Sequence, residues 1–144
     1  MGRRVDRQRT GTGAKVEVTR PVLLDTSFLV DLERETARGE AGPARTFLPS
    51  LRRRPLVVSV VTVAELIEGA ADEAAALASV QRFRIQGLQV AQAQRCARLQ
   101  RREARRLGEN DAWLVATAQA LDADIVGADR VAFERLGSGY LRYR

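Results

Sequence analysis

The chain contains no histidine, one lysine (Lys15) and one cysteine (Cys96). Without histidine, imidazole acid–base chemistry and imidazole metal ligation are both excluded, which leaves carboxylates as the leading reactive groups. A single cysteine cannot close an internal disulfide, so nothing points to an oxidising compartment. No apolar run approaches the roughly 18 residues needed to cross a bilayer. The basic N-terminus also lacks the apolar segment of a signal peptide, so the expected address is cytoplasmic, without a membrane partner.

What is present is ordinary for a soluble domain: 144 residues, 45% hydrophobic and 29% charged. That length predicts one domain with a core of its own. The net charge of +6 is carried almost entirely by arginine. Arginine's planar fork suits phosphate, so nucleic acid is a compatible partner. An Ala- and Arg-rich composition whose arginines only solvate helices accounts for the same charge.

Residues 1–17 show no apolar period and read as a flexible basic leader; residues 18–144 read as the domain. Val18 to Leu24 predicts a strand, and Thr26 to about Arg34 a helix. Gly42-Pro43 opens a helix through Phe47, Leu48 and Leu51, stopped by Arg52-Arg53-Arg54-Pro55. Leu56 to Val60 is a β-branched strand and Thr62 to Ala70 a helix. Asp72 can cap a helix from Glu73 to about Arg84, and Leu88 to Val90 is a short candidate strand. Ala91 to Leu107 reads as a long helix ended by Gly108, followed by a helix from Ala112 to Leu121. A strand from Asp124 to Ala128, a short helix from Val131 to Leu136 and an edge strand from Tyr140 to Tyr143 complete the chain. Alternating strands and helices predict an α/β fold, a mostly parallel sheet with helices on both faces.

Four acids sit where apolar runs give way to helix starts: Asp25, Glu65, Asp111 and Asp129. Each has a local explanation when taken alone. Asp25 suits a helix cap, and Thr62-Val63-Ala64-Glu65 has capping-box spacing. Asp111, next to Asn110, suits a helix first turn, and Asp129 suits a turn. Taken together, the ends of parallel strands share one edge, the edge where ligands bind in open α/β sheets. Carboxylates gathered there repel one another unless a cation joins them, and Mg²⁺ or Mn²⁺ favours such all-oxygen sites. The chemistry that follows is phosphodiester hydrolysis.

These stretches resemble the PIN-domain nucleases, and among them the VapC-type ribonuclease toxins of bacterial toxin–antitoxin pairs. The matching segments are Val22-Leu23-Leu24-Asp25-Thr26-Ser27-Phe28-Leu29, Ser59 to Leu66, Asn110 to Ala118, and Ile125-Val126-Gly127-Ala128-Asp129 with Phe133 beyond. The resemblance implies a three-layer α/β/α fold around a central parallel sheet. It implies Mg²⁺- or Mn²⁺-dependent cleavage of RNA, inhibition by a cognate antitoxin, and a homodimer. It makes Asp25, Glu65, Asp111 and Asp129 the metal-binding and catalytic acids. Thr26 or Ser27 is expected to support Asp25 through its hydroxyl, or else to serve only as a helix start, with Asn110 beside Asp111. One departure stands out: many relatives carry Ser or Thr where this chain has Gly127, which bears on how a second metal is held.

Arg95, Arg98, Arg101, Arg102, Arg105 and Arg106 cluster on the expected long helix and suit RNA phosphates or an acidic antitoxin segment. A solvated helix face with partner charges such as Glu103 fits the same pattern. Trp113 is expected in a core or dimer interface rather than stacked on a base. Arg52-Arg53-Arg54 suits RNA or a plain helix end. Two other functions fit parts of the sequence. One is a catalytically degenerate PIN-like module that binds RNA or a partner without cutting, for which Gly127 is the local hint. The other is a phosphoryl-accepting domain built on Asp25. It lacks the second acid at Ser27 and a lysine near the last strand.

Overall fold

Val22, Leu23 and Leu24 have no exposed surface, and a strand buried on both faces belongs in the middle of a parallel sheet. The computed structural model, which describes residues 20–144, places it there. The leader over residues 1–17 and the first two residues of the expected first strand lie outside the described residues. Strands β1 (Val22–Leu24), β2 (Leu56–Ser59), β3 (Arg84–Gln86), β4 (Asp124–Gly127) and β5 (Tyr140–Arg142) form one sheet. Its order is β3-β2-β1-β4-β5, and every neighbouring pair is parallel.

Seven α-helices connect and cover these strands: α1 (Thr26–Arg38), α2 (Pro43–Phe47), α3 (Val60–Glu68), α4 (Glu73–Val80), α5 (Val90–Arg102), α6 (Glu109–Leu121) and α7 (Arg130–Phe133). Short 3₁₀ turns follow α2 at Leu48–Leu51 and α7 at Glu134–Gly139. Strand alternation separates two cores. Val22, Leu24, Val58 and Val126 pack against Phe28, Leu29 and Leu32 of α1, with Leu51 and Val80. Leu23, Val57 and Ile125 face the other way, onto Leu114, Val115 and Ala118 of α6 and Phe133 of α7. A smaller cluster of Cys96, Ala112 and Ala116, flanked by Trp113, joins α5 to α6. The result is the expected three-layer α/β/α arrangement.

Three expectations need correction. The third strand is Arg84–Gln86, not Leu88 to Val90. It is an edge strand whose Arg84 and Ile85 are exposed, so it carries no buried apolar pattern, while Val90 already begins α5. The helix before it stops at Val80 instead of Arg84. Helix α5 ends at Arg102, because Glu103 turns extended (φ −78°, ψ 130°). The loop that follows is held by the Gln100 side chain, which accepts from the Leu107 N–H (2.9 Å) and donates to its carbonyl (3.1 Å). The last strand is an edge strand, as expected.

Two buried polar anchors tie remote segments. At the amino edge of the sheet Asp124, 7% exposed, accepts from Arg20 Nε (2.8 Å) and pairs with Arg54. Arg54 also donates to the Arg20 carbonyl (3.0 Å), so it clamps β1, β2 and β4 and is not displayed to solvent for RNA. Glu35 of α1 caps α2 from outside, accepting the Ala44 and Arg45 amides at 3.0 and 2.9 Å. A Cβ on Gly42 would lie 2.5 Å from the Glu35 carboxyl carbon.

Glu35→Ala is therefore expected to cost about 1–3 kcal/mol in urea unfolding, the range for hydrogen bonds to a charged group. Gly42→Ala should cost a similar amount by displacing the same carboxylate. The double variant should then cost clearly less than the sum of the two singles, because both lose one cap. Strict additivity would show that Gly42 matters for another reason.

Candidate functional site

The Asp25 amide donates to the Val126 carbonyl (2.9 Å), one rung beyond the Leu24–Val126 register. That contact fixes Asp25 at the carboxyl edge beside the end of β4. The Asp25 side chain caps α1, accepting from the Ser27 amide (3.3 Å) and the Ser27 hydroxyl (2.6 Å). The Ser27 oxygen in turn accepts from the Ala128 amide (3.0 Å). One hydroxyl thus orients Asp25 and staples the ends of β1 and β4 together.

The Thr26 hydroxyl does not reach Asp25, although its backbone amide does. The hydroxyl donates to Glu65 Oε1 (3.0 Å), so it orients the second acid instead. Glu65 lies in the second turn of α3, whose N-cap is Ser59, accepting from the Val61 amide (3.1 Å). The capping-box alternative is thereby excluded. Thr62 is fully buried inside the helix, and its hydroxyl has no partner among the described residues. Asp111 stands in the first turn of α6, next to the exposed Asn110, which makes no hydrogen bond to the acids among the described contacts. Asp129 caps α7, with Oδ1 accepting from the Ala132 amide (3.1 Å).

The charges of the other three acids all act on Asp111. Burial pushes Asp111 up to about 6, reinforced by the charges of Asp129, Asp25 and Glu65 and opposed by Arg135. Burial also raises Asp25 against the lowering effect of its Ser27 hydrogen bonds, with Asp129 adding to the rise. Three other carboxylates therefore act on Asp111, although at least 17 residues of chain separate any two of the four acids. Among the described residues, no three such side chains stand close enough to clasp one metal ion directly. A hydrated Mg²⁺ or Mn²⁺ fits this donor set better than a caged ion. Such ions as a class take one or two carboxylates directly and keep several waters, so any of Asp25, Glu65, Asp111 and Asp129 could serve as ligands if one bound here.

Gly127 is explained by packing. A Cβ there would come within 2.8 Å of Phe133 Cε2 and 3.0 Å of the Asp25 Cβ. A side chain here would have to displace the Phe133 ring or Asp25, while Tyr140 donates to the Gly127 carbonyl (2.8 Å).

Of the arginines, Arg95, Arg98 and Arg102 share one exposed flank of α5, away from the buried Gln92 and Cys96. Arg105 lies in the following loop and not on a helix. None of these four enters an ion pair among the described residues. Their expected partner Glu103 instead pairs with Arg135. Nothing in the sequence marks Arg135, because its partner is 32 residues away.

The sequence matches the PIN-domain profile over residues 22–138, a span that includes all four acids. The chain belongs to the PIN-domain family. No curated protein matches the sequence significantly. Among solved structures, this PIN domain is similar to a toxin–antitoxin complex from Klebsiella pneumoniae, at 23% identity and TM-score 0.68, covering 83% of this chain and 95% of that one. It is similar to the Mycobacterium tuberculosis VapBC-5 toxin–antitoxin structure, at 25% identity and TM-score 0.58, covering 86% and 98%. It is also similar to M. tuberculosis VapC20, described as a sarcin–ricin loop cleaving toxin, at 20% identity and TM-score 0.53, covering 81% and 95%.

The raised Asp111 carboxyl sets a pH dependence for the metal-free protein. Its folded value of about 6 lies above the ordinary 3.8, so the folded state holds this proton more tightly than the unfolded chain. The stability it contributes is complete below the ordinary value and is lost as pH rises through about 6. In EDTA, Asp111→Asn should therefore raise the melting temperature at pH 8 and leave it nearly unchanged at pH 4. A drop at pH 8 would show that the Asp111 carboxylate is held by favourable contacts and not strained by its neighbours.

Proposed function

We propose that this PIN domain is a VapC-type toxin, an endoribonuclease that hydrolyses RNA phosphodiester bonds with Mg²⁺ or Mn²⁺ and is restrained by a cognate antitoxin. The observation that supports the reading is that Asp25 and Asp129 follow β1 and β4 at one sheet edge, that the Thr26 hydroxyl next to Asp25 holds Glu65, and that the charges of all three act on Asp111. The similarity to a toxin–antitoxin complex and to an RNA-loop-cleaving toxin supports it. A divalent ion bound among these acids would make a water acidic and stabilise charge on the phosphoryl group. The protein's own part is to hold the acids: Ser27 sets the Asp25 rotamer, Thr26 sets Glu65, and the Ala132 amide fixes Asp129. The exposed flank of Arg95, Arg98 and Arg102, with Arg105 beyond it, supplies cations for the RNA backbone.

For the antitoxin, a groove of about 420 Å³ is floored by Leu32, Leu48, Leu56 and Phe83 and rimmed by Arg45, Arg52 and Arg82. An acidic amphipathic segment matches both its apolar floor and its charged rim. The exposed Ile85, Leu88 and Val90 beside the β3 edge offer an apolar surface to a second copy, the homodimer of this proposal. The alternative of a degenerate binding module loses its local hint, because Gly127 follows from close packing and not from an eroded site.

Purified protein incubated with cellular RNA and Mg²⁺ or Mn²⁺ should make discrete cuts that EDTA stops. Asp25→Asn and Asp111→Asn should each lower the rate by at least about a hundredfold, as expected when a metal-supported step is lost, with the fold retained. Cutting at the wild-type rate by either variant would sink the four-acid mechanism. Replacing Arg95, Arg98 and Arg102 with alanine should weaken RNA binding at low salt. It should also flatten the plot of log affinity against log salt by about 0.7 per lost contact on single strands. An unchanged slope would return the flank to a solvent-covering role.

A further inference from the structure

Asp111 and Asp129 are carried by segments with different backbone supports. Asp111 follows the loop 103–108 at the start of α6, whereas Asp129 follows β4 at the start of α7. One ion pair spans the two. Arg135, in the 3₁₀ turn beyond α7, pairs through Nη1 with Glu103, the first residue after α5. Its Nε donates to the Ala132 carbonyl (2.8 Å) and its Nη2 to the Val131 carbonyl (3.3 Å). Ala132 is also the residue whose amide caps Asp129. On the other side, the loop from Glu103 is fastened again at Leu107 by Gln100. Leu107 adjoins Gly108, whose carbonyl accepts the Ala112 amide of the first α6 turn (2.9 Å).

We infer that Arg135 and Glu103 form a positioning latch that sets the spacing of the Asp111 and Asp129 carboxylates. The latch rests on the four-acid metal reading for its purpose but not for its existence. A guanidinium suits the position because its three nitrogens reach three acceptors in a fixed plane, which an ammonium on a flexible stem does not reproduce. The same cation lies near enough to Asp111 to oppose its upward shift, and that raises a competing role. If Arg135 acted only as a charge, it would compete with a metal ion, and removing it would tighten metal binding. The latch predicts the opposite sign.

The full-length protein and its Glu103→Gln, Arg135→Lys and Arg135→Gln variants separate the two roles. The first readout is amide hydrogen exchange of the metal-free proteins. The latch requires faster exchange over residues 103–112 and 129–135 together in Glu103→Gln and Arg135→Lys, with the strands unchanged. The second is Mn²⁺ binding followed by electron paramagnetic resonance. Affinity should fall on the order of tenfold in Arg135→Lys although the charge is retained, as for other groups that orient metal ligands. Unchanged exchange in both segments, or wild-type Mn²⁺ affinity in Arg135→Lys with tighter binding in Arg135→Gln, would overturn the latch. If the wild-type protein bound no Mn²⁺, the metal reading would fall, and hydrogen exchange alone would still decide whether the latch exists.

Discussion

The hydrogen bond from the Asp25 amide to the Val126 carbonyl continues the parallel β1–β4 ladder, and the site depends on it. Parallel pairing brings the carboxyl end of β1 level with those of β2 and β4. Asp25 then emerges at the same edge as the start of α3 and the cap of α7. The Ser27 hydroxyl reinforces this rung by taking the Ala128 amide while donating to Asp25. At residue 127 a side chain would press on Asp25 and on the Phe133 ring. One contact geometry therefore explains the position of the first acid, the role of its neighbour and the glycine opposite.

Around that edge the structure trades stability for charge. Asp111 is held against three other carboxylates in a partly desolvated position, a cost that the two apolar cores and the amino-edge clamp on Asp124 offset elsewhere. The division is spatial. The amino edge carries an acid satisfied by two arginines, and the carboxyl edge carries acids oriented by hydroxyls and amides. Under the proposed function, such asymmetry suits an edge that would gather a cation on an otherwise rigid sheet.

Legibility in the sequence followed burial. The strands apolar on both faces, β1, β2 and β4, are marked by unbroken runs of Val, Leu and Ile, and the four acids by their positions after such runs or at a helix start. Strand β3 escaped because an edge strand with exposed Arg84 and Ile85 has no apolar signature. The end of α5 escaped because Glu103 leaves the helix to meet Arg135, a partner no local pattern contains. The supporting hydroxyls were half legible: Ser27 serves Asp25 as the resemblance implied, whereas the Thr26 hydroxyl turns to Glu65.

The sequence by itself determined the layered α/β plan and the family and singled out four candidate acids, because apolar periodicity and short motifs are local properties. Only the tertiary structure decided which hydroxyl serves which acid, what a side chain at residue 127 would press on, and that Arg135 joins two acid-bearing segments. Each of those depends on atoms brought within a few ångströms by strand pairing and helix packing, and chain separation carries no information about such contacts.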